Sequence, residues 1–307
     1  MVFDMPMPPA DPPMTRDQIR STFQDLGTWR QGDEQAPHKP LMLLWLLARL
    51  QRGQTGPLSF RDLQDPLAGL LKQFGPTRKS YHPEYPFWHL RGDKIWQVQV
   101  DGPPLALRKG HNSPTKAALL RPDVSGHWSP AVQRLLVGDP ALVSELGRTL
   151  LQGYFPPTLH EPIATAVGLS LDAPTRVLRD PAFRDKVLRA YEYRCGVCGA
   201  AVLLDGQTLG LEAAHVHWQA RGGPCAVDNG IALCPTHHVF LDLGIWGLSP
   251  NREILVSSRA SGGAVDADFL RFHRRPLREP QSGQPRVAPS HIAWHQEYVF
   301  KKPERAA

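Results

Sequence analysis

The chain has 307 residues, 41% of them hydrophobic and 21% charged, with a net charge of +6. These values exclude wholesale disorder and favour two packed domains over one. The basic excess is shared evenly by the stretches before and after Gly168, which fits a polyanionic partner and argues against a merely basic tail.

Four cysteines are too few for a disulfide scaffold at this length, so a reducing cytoplasm is the expected location. Met1–Pro13 is rich in Pro and Met and lacks both a basic start and an apolar run, so it reads as a loose arm and not as a signal peptide. The longest apolar run, Leu41–Ala48, is far short of a membrane span.

In chain order, Thr15-Arg-Asp-Gln18 is a capping box that opens a helix to Leu26. Pro40 fits the first turn of a second helix, and its stretch Leu41–Ala48 is apolar all round, as a central core helix would be. Leu58–Phe74 has an amphipathic helical pattern. Phe87–Leu90 and Ile95–Val100 flank Arg91-Gly-Asp93 and predict a hairpin. Helices are expected at Pro114–Leu120, Pro130–Leu136, Pro140–Leu151 and, after Phe155-Pro-Pro157, at Ile163–Leu169. Ser170–Pro174 reads as linker, Asp180–Tyr193 as a helix, Leu203–His215 as a hairpin turning at Asp205-Gly206, and His237–Leu243 as a helix. Ser257–Pro289 reads as surface loop, and Trp294, Tyr298 and Phe300 as a group that docks the C-terminus.

The chemistry concentrates between Cys195 and His238. Cys195-x2-Cys198 and Cys234-x2-His237 supply thiolates and an imidazole at the spacing of one tetrahedral Zn²⁺. Between and beside these pairs stand His215, Asn229 and His238, a set with the base, amide and metal ligand that metal-assisted phosphodiester hydrolysis needs. Glu212-Ala-Ala-His215, Asn229 and Cys234-Pro-Thr-His237-His238 together resemble the HNH (ββα-metal) endonuclease family over Tyr191–Leu248.

In that reading Cys195, Cys198, Cys234 and His237 close a structural zinc site that pins hairpin to helix in a unit with little core of its own. His215 is the general base, since a neutral imidazole accepts a proton from water near neutral pH. Asn229 holds the imidazole or its loop in register, and His238 binds a catalytic divalent ion such as Mg²⁺ or Mn²⁺. Cys225 stays outside the scheme as an inert thiol. The chain departs from the usual family pattern at Ala214, where Asp or His commonly adds a second ligand. Asp242, four residues after His238 on the same helix face, is the candidate replacement, with Glu212 and His217 behind it. A helix-face or capping role for Asp242 is the competing reading.

The first half carries basic groups interleaved with aromatics in Pro37-His38-Lys39-Pro40, Arg78-Lys79-Ser80-Tyr81-His82 and Tyr85-Pro86-Phe87-Trp88-His89, which suits nucleic acid. Singly, each stretch reads equally well as a helix start, a solvated loop or a core strand. The order His38-Lys39-Pro40, Tyr85-Pro-Phe87, Asn112-Ser-Pro-Thr115 and Phe155-Pro-Pro-Thr-Leu-His-Glu161 resembles the sulfur-binding domain of phosphorothioate-dependent, McrA-like restriction endonucleases over Asp17–Leu169. The resemblance implies that Tyr85 and Pro86, with His89 nearby, wall an apolar pocket for the sulfur, a softer and less hydrated atom than oxygen. It also implies that His38 and Lys39 address the adjoining phosphate. Arg78, Lys79, His111 and Asn112 are candidate groove or backbone contacts from charge and position.

The expected fold class is α+β. The layout is an arm over 1–14, a mostly helical DNA-reading domain with a small sheet over 15–169, a linker over 170–179, and a zinc-containing ββα-metal nuclease domain with a C-terminal extension over 180–307. The expected function is a type IV endonuclease that recognises phosphorothioate-modified duplex DNA and cuts nearby, with no membrane partner. Cutting both strands with one such site requires a homodimer or sequential nicks. The alternatives are an HNH nuclease directed to a modified base flipped into an aromatic pocket, and a zinc-stabilised DNA-binding protein without activity.

Overall fold

The capping box at Thr15 closes as its sequence implies: Gln18 N donates to Thr15 Oγ1, Thr15 N donates to Gln18 Oε1, and α1 runs Arg16–Gln24. This computed structural model describes residues 14–27, 30–31, 34–171, 181–205 and 207–306, so the expected arm and most of the linker lie outside the described residues. A two-residue pair, β1 (Arg30–Gln31) with β2 (Glu34–Gln35), precedes α2 (His38–Gln51). Leu41–Ala48 of α2 is buried on every side except at Trp45, which makes this helix the axis of the first domain.

Around α2 pack α3 (Phe60–Phe74), α4 (Glu84–His89), α5 (Lys116–Leu119), α6 (Pro130–Val137), α7 (Pro140–Tyr154) and α8 (Pro157–Val167). A three-stranded antiparallel sheet, β3 (Leu58–Ser59), β4 (Trp96–Val100) and β5 (Val124–Trp128) in the order β3-β5-β4, closes one side. Gly126 in β5 makes room for Trp96 and Phe87, since a Cβ there would lie 2.1 Å from the Trp96 ring.

Two expectations fail in this half. Phe87–Leu90 is not a strand: Phe87 belongs to α4, and Leu90 opens a 3-10 turn that ends at Asp93. The buried set Pro86, Phe87 and Leu90 repeats at helical spacing, so core packing overrides the β propensity of the aromatic run. The β4 strand pairs instead with β5, Trp96 opposite Trp128. The last helix also starts earlier than Ile163, because Pro157 occupies its first turn instead of marking a long break.

In the second half α9 (Pro181–Ala190) lies across the pair β8 (Glu212–His215) and β9 (Gly230–Leu233), and α10 (Pro235–Asp242) follows directly from β9. The expected Leu203–His215 hairpin divides into β6 (Val202–Leu204) with β7 (Gln207–Leu209), then a separate β8 paired with β9. Gly210 interrupts it at φ +65°, a conformation open to glycine. A final pair, β10 (Trp246–Leu248) with β11 (Ile254–Val256), and α11 (Pro289–Tyr298) complete the domain. The 257–289 stretch is less of a surface loop than its composition implies, because it buries Val265, Phe269, Leu277 and Val287.

The two halves share apolar surface. Trp218, Trp294 and Val299 belong to the same buried cluster as α2 and α7, so the C-terminus docks on the first domain. Polar contacts reinforce that seam: Arg78 to Glu297 at 3.1 Å, Lys301 Nζ to Gly75 O at 2.6 Å, and Thr77 Oγ1 to Phe300 O at 3.4 Å. Among the described residues no helix is long and apolar enough to cross a membrane.

Candidate nuclease site and DNA-reading surface

The antiparallel β8–β9 pair sets His215 opposite Gly230, one residue after Asn229. Glycine is required there, because a Cβ would lie 2.4 Å from Val187 and 3.2 Å from Phe183 on α9. That close approach lets the Phe183 ring stack on His215, with centroids 4.0 Å apart and planes at 16°. Cys225 Sγ lies 3.5 Å from His215 Nε2, so the thiol left out of the zinc scheme sits beside the expected base.

Asn229 is fully buried and acts on the loop, not directly on the imidazole. Its Oδ1 accepts from His217 N at 2.8 Å, and its Nδ2 donates to His217 O and Pro224 O, each at 2.9 Å. The loop after His215 is thereby held closed, with Gly223 packed too tightly for any Cβ. His217 Nε2 donates within that loop to Arg221 O at 3.0 Å, and its ring stacks on Trp294 at 4.1 Å, which ties it into the architecture of the loop.

Pro235 in the first turn starts α10 immediately after Cys234, so His237 and His238 project from consecutive positions of one helix. Among the described residues one group of ligating side chains is closed: donor atoms of Cys195, Cys198, Cys234 and His237 all lie within 4.8 Å of one another. His237 Nδ1 is 3.3 Å from Cys195 Sγ and 3.2 Å from Cys234 Sγ. Ligands about 2.1–2.3 Å from a tetrahedral zinc stand at nearly that separation, so the set fits the ion. The hydrogen bond with Cys234, aided by that with His237, holds the Cys195 thiol down, while the same bond and then burial push Cys234 up. A cation is the natural way to hold such thiols deprotonated together.

On the other side of α10 is a cavity of about 280 Å³ that brings together His215, His238 and Asp242, with Phe183 and Arg184 from α9. His238 Nδ1 is 2.6 Å from Glu212 Oε2, and its Nε2 is 3.3 Å from Asp242 Oδ2. Glu212 therefore orients His238 in the manner of the outer carboxylates that fix metal-binding histidines. Two donors bound to one divalent ion at about 2.1 Å stand about 3.0–3.4 Å apart for angles of about 90–110°, so His238 and Asp242 fit as a chelating pair. Ala214 is fully buried in the nuclease core, where a carboxylate would be costly to bury. Asp242, on α10, is 2% exposed and lines the cavity.

Sequence reasoning missed the cavity's other wall. Gln152, Phe155, Pro156, Pro157 and His160 of the first domain line it, and the Thr158 hydroxyl hydrogen-bonds Asp242 Oδ2. No sequence spacing links Thr158 to Asp242, and Glu212, expected only as a secondary ligand candidate, is instead bonded to His238 Nδ1.

The DNA-reading candidates gather around α4. Tyr85 stacks on His82 with centroids 4.7 Å apart, and its hydroxyl accepts from Arg108 Nη1 at 2.7 Å. Pro86 is buried, while His89 is exposed and bonded to Ser113 Oγ at 3.1 Å. Trp88 Nε1 donates to Asn112 O at 3.1 Å, and the Arg91 guanidinium covers the Trp88 ring at 3.4 Å. Lys79, His111 and Asn112 are exposed, whereas Arg78 is engaged with Glu297 across the domain seam.

Two expected phosphate contacts are placed otherwise. Lys39 is buried, with Nζ 2.5 Å from Asp93 Oδ2 and 2.6 Å from Gly27 O, so its charge is already neutralised inside the domain. Burial, followed by the charges of His82 and Arg78, pushes His38 down to about 4 and leaves it neutral at pH 7. Arg108, Arg91 and Lys79 offer the nearby cationic charge instead, and only Lys79 among them was expected.

The ββα unit and its closed four-donor set define a nuclease-type domain, and it packs against a separate helical domain with its own basic and aromatic face. Residues 16–172 match the family described as ScoMcrA-like, DNA sulfur-binding domain, and residues 195–249 match the HNH endonuclease family. The first match spans half of the chain, and the chain belongs to that family, with a carboxy-terminal HNH endonuclease domain added.

No curated protein matches the chain. Among solved structures, the sulfur-binding domain of ScoMcrA complexed with phosphorothioated DNA is similar at 23% identity and a TM-score of 0.44, covering 51% of this chain and 97% of that one. The type IV phosphorothioation-dependent restriction endonuclease ScoMcrA is similar at 14% identity and a TM-score of 0.39, covering 74% of this chain and 94% of that one. The modification-dependent TagI restriction endonuclease is similar at 22% identity and a TM-score of 0.29, covering 43% of this chain and 41% of that one.

Proposed function

We propose that this protein is an endonuclease that binds phosphorothioate-modified duplex DNA through its first domain and hydrolyses a phosphodiester nearby with its second. The observation that carries the reading is the presence, in one chain, of a sulfur-binding-domain sequence and a cavity that joins His215, His238 and Asp242. The pairing supports a modification-dependent nuclease.

In this reading Phe183 fixes the His215 ring by stacking, and the neutral imidazole takes a proton from water at the phosphate. Asn229 keeps the loop after His215 closed, so the ring is presented in one place. Arg184 adds cationic charge to the cavity while one guanidinium nitrogen is anchored on Leu211 O. His238 and Asp242 would hold a Mg²⁺ or Mn²⁺ ion, and the chemistry such an ion supplies is stabilisation of charge on the phosphate and the departing 3′ oxygen. Cys195, Cys198, Cys234 and His237 would hold zinc for structure alone.

On the first domain, Tyr85 and Pro86 would receive the sulfur, with His89 at the rim. Lys79, Arg108, His111 and Asn112 would meet the backbone, joined by Arg78 if it exchanges Glu297 for a phosphate. A polyanionic double-stranded DNA ligand in the cytoplasm is consistent with the net positive charge of the chain.

The test is equilibrium binding of the full chain to two identical duplexes, one carrying a single phosphorothioate, with no divalent ion added. A contact worth about 1–3 kcal/mol, as for a small apolar side chain, favours the modified duplex by about one to two decades. Tyr85→Ala should erase most of that difference, whereas Lys79→Ala should weaken both duplexes alike and lower the salt dependence. Equal binding of the two duplexes by the unaltered chain would overturn sulfur recognition.

A further inference from the structure

We infer that Thr158, a residue of the DNA-reading domain, is a positioning residue of the nuclease metal site: its hydroxyl orients Asp242, so that the site is complete only while the two domains are docked. The inference rests on the nuclease reading above and extends it to the coupling between the domains.

His238 and Asp242 are the two donors of α10 that line the cavity. Each has a supporting hydrogen bond from a neighbouring element. His238 is held by Glu212 from its own domain, and Asp242 is held by Thr158 from the other. An ionised carboxylate only accepts, so Thr158 is the donor, and it binds Oδ2, the same oxygen that lies 3.3 Å from His238 Nε2. The bond thus fixes which Asp242 oxygen faces the histidine. Outer hydrogen bonds of this kind orient metal ligands and raise affinity.

The surroundings keep Thr158 in place. Pro156 and Pro157 set the start of α8, Phe155 and Leu159 on either side are buried in the first core, and α8 packs on α10, the helix that carries both His238 and Asp242. The contact is therefore made by a rigid element and not by a wandering loop. Pro156, Pro157 and His160 also line the cavity, so the reading domain forms one wall of the space where the ion and phosphate would sit.

The experiment measures Mn²⁺ binding directly, by the signal of free Mn²⁺, in the full zinc-loaded chain without DNA. Thr158→Val should weaken Mn²⁺ binding about tenfold or more, as outer-ligand losses do, and Thr158→Ser should restore it to within about twofold. In cleavage assays Thr158→Val should raise the Mn²⁺ half-saturation in the same proportion and act much less on the rate at saturating Mn²⁺. Thermal unfolding establishes that the variant is folded, and Thr158→Ala serves if the valine variant is not. Unchanged Mn²⁺ affinity in a folded variant would overturn the inference and leave Thr158 as packing. Tighter Mn²⁺ binding, or cleavage of unmodified DNA released by the substitution, would also overturn it, because the contact would then be a lock. If the unaltered chain and Asp242→Ala bind Mn²⁺ equally, the failure lies in the metal reading of Asp242, and the role of Thr158 falls with it.

Discussion

His237 and His238 are neighbours on α10 that face surroundings of opposite kinds. His237 faces three cysteines in a set whose donor atoms are all within 4.8 Å of one another. His238 faces a cavity of about 280 Å³, where its partners come from β8, from α10 and, through Thr158, from the other domain. Consecutive residues of an α-helix point about 100° apart, so one short helix can close a structural cluster with one face and open a reactive one with the next. Structural metal sites are filled by protein donors, while catalytic sites leave positions for water and substrate. A cation held by the Cys3His set would do for α10 what a larger core does for α2, fixing a helix of only eight residues.

Breaking the closed side should have the largest effect. A structural zinc site contributes about 10 kcal/mol or more, comparable to the whole stability of a domain of ordinary size. Cys198→Ala should therefore release the zinc and collapse amide protection over β8, β9 and α10, while the α2 core of the first domain keeps its protection. Elemental analysis with hydrogen exchange measures both. Zinc retained at one ion per chain with unchanged protection would remove Cys198 from the ligand set, and no zinc in the unaltered chain would mean that the four donors are only core residues.

Breaking the open side should spare the fold and remove the reaction. A positioned general base contributes about 10²–10⁴-fold, so His215→Ala should reduce cleavage of modified DNA by at least about 10²-fold. Binding should persist, because proton transfer acts on the transition state and not on docking. A variant that cuts at close to the normal rate would take His215 out of the mechanism and leave its stacking on Phe183 as simple packing.

The same contrast explains what could be read in advance. The zinc donors and His238 occupy a few closely spaced positions, and the geometry of one turn after one strand brings them together almost regardless of the rest of the fold. The placing of Asp242 beside His238 was legible for the same reason, four residues further along the helix. The contact from Thr158 was not, because it depends on how two domains pack, and Phe155-Pro-Pro-Thr read only as a helix break and as part of the sulfur-binding-domain pattern. Lys39 was misread in the opposite sense: a lysine before an apolar helix looks like a solvent-facing cation, but Asp93 draws it inward from a turn that lies far along the chain. The Phe87–Leu90 segment failed because aromatic content favours a strand locally, while the core selects the helical spacing of Phe87 and Leu90.

A smaller effect should appear at the seam that holds the two domains in register. Lys301 reaches from the C-terminal segment to the carbonyl of Gly75, beside Thr77 and Arg78, which also cross the seam. Burial, and then the charge of Arg259, pushes the Lys301 ammonium down to about 7. In the unfolded chain a lysine titrates near about 10.4, so between these values the unfolded state binds more protons than the folded one. Folding is therefore favoured progressively as pH rises from about 7 towards 10, because the buried nitrogen sheds a charge that it holds at some cost. Lys301→Met keeps the packed stem and removes the titration. Thermal unfolding of the full chain, followed from pH 7 to 10, should show the unaltered protein gaining stability relative to Lys301→Met across this window. Since every other group titrates alike in the two chains, the difference between the curves isolates the seam lysine. Parallel curves would place Lys301 in solvent, and the Gly75 contact would then contribute little to holding the wall of the nuclease cavity.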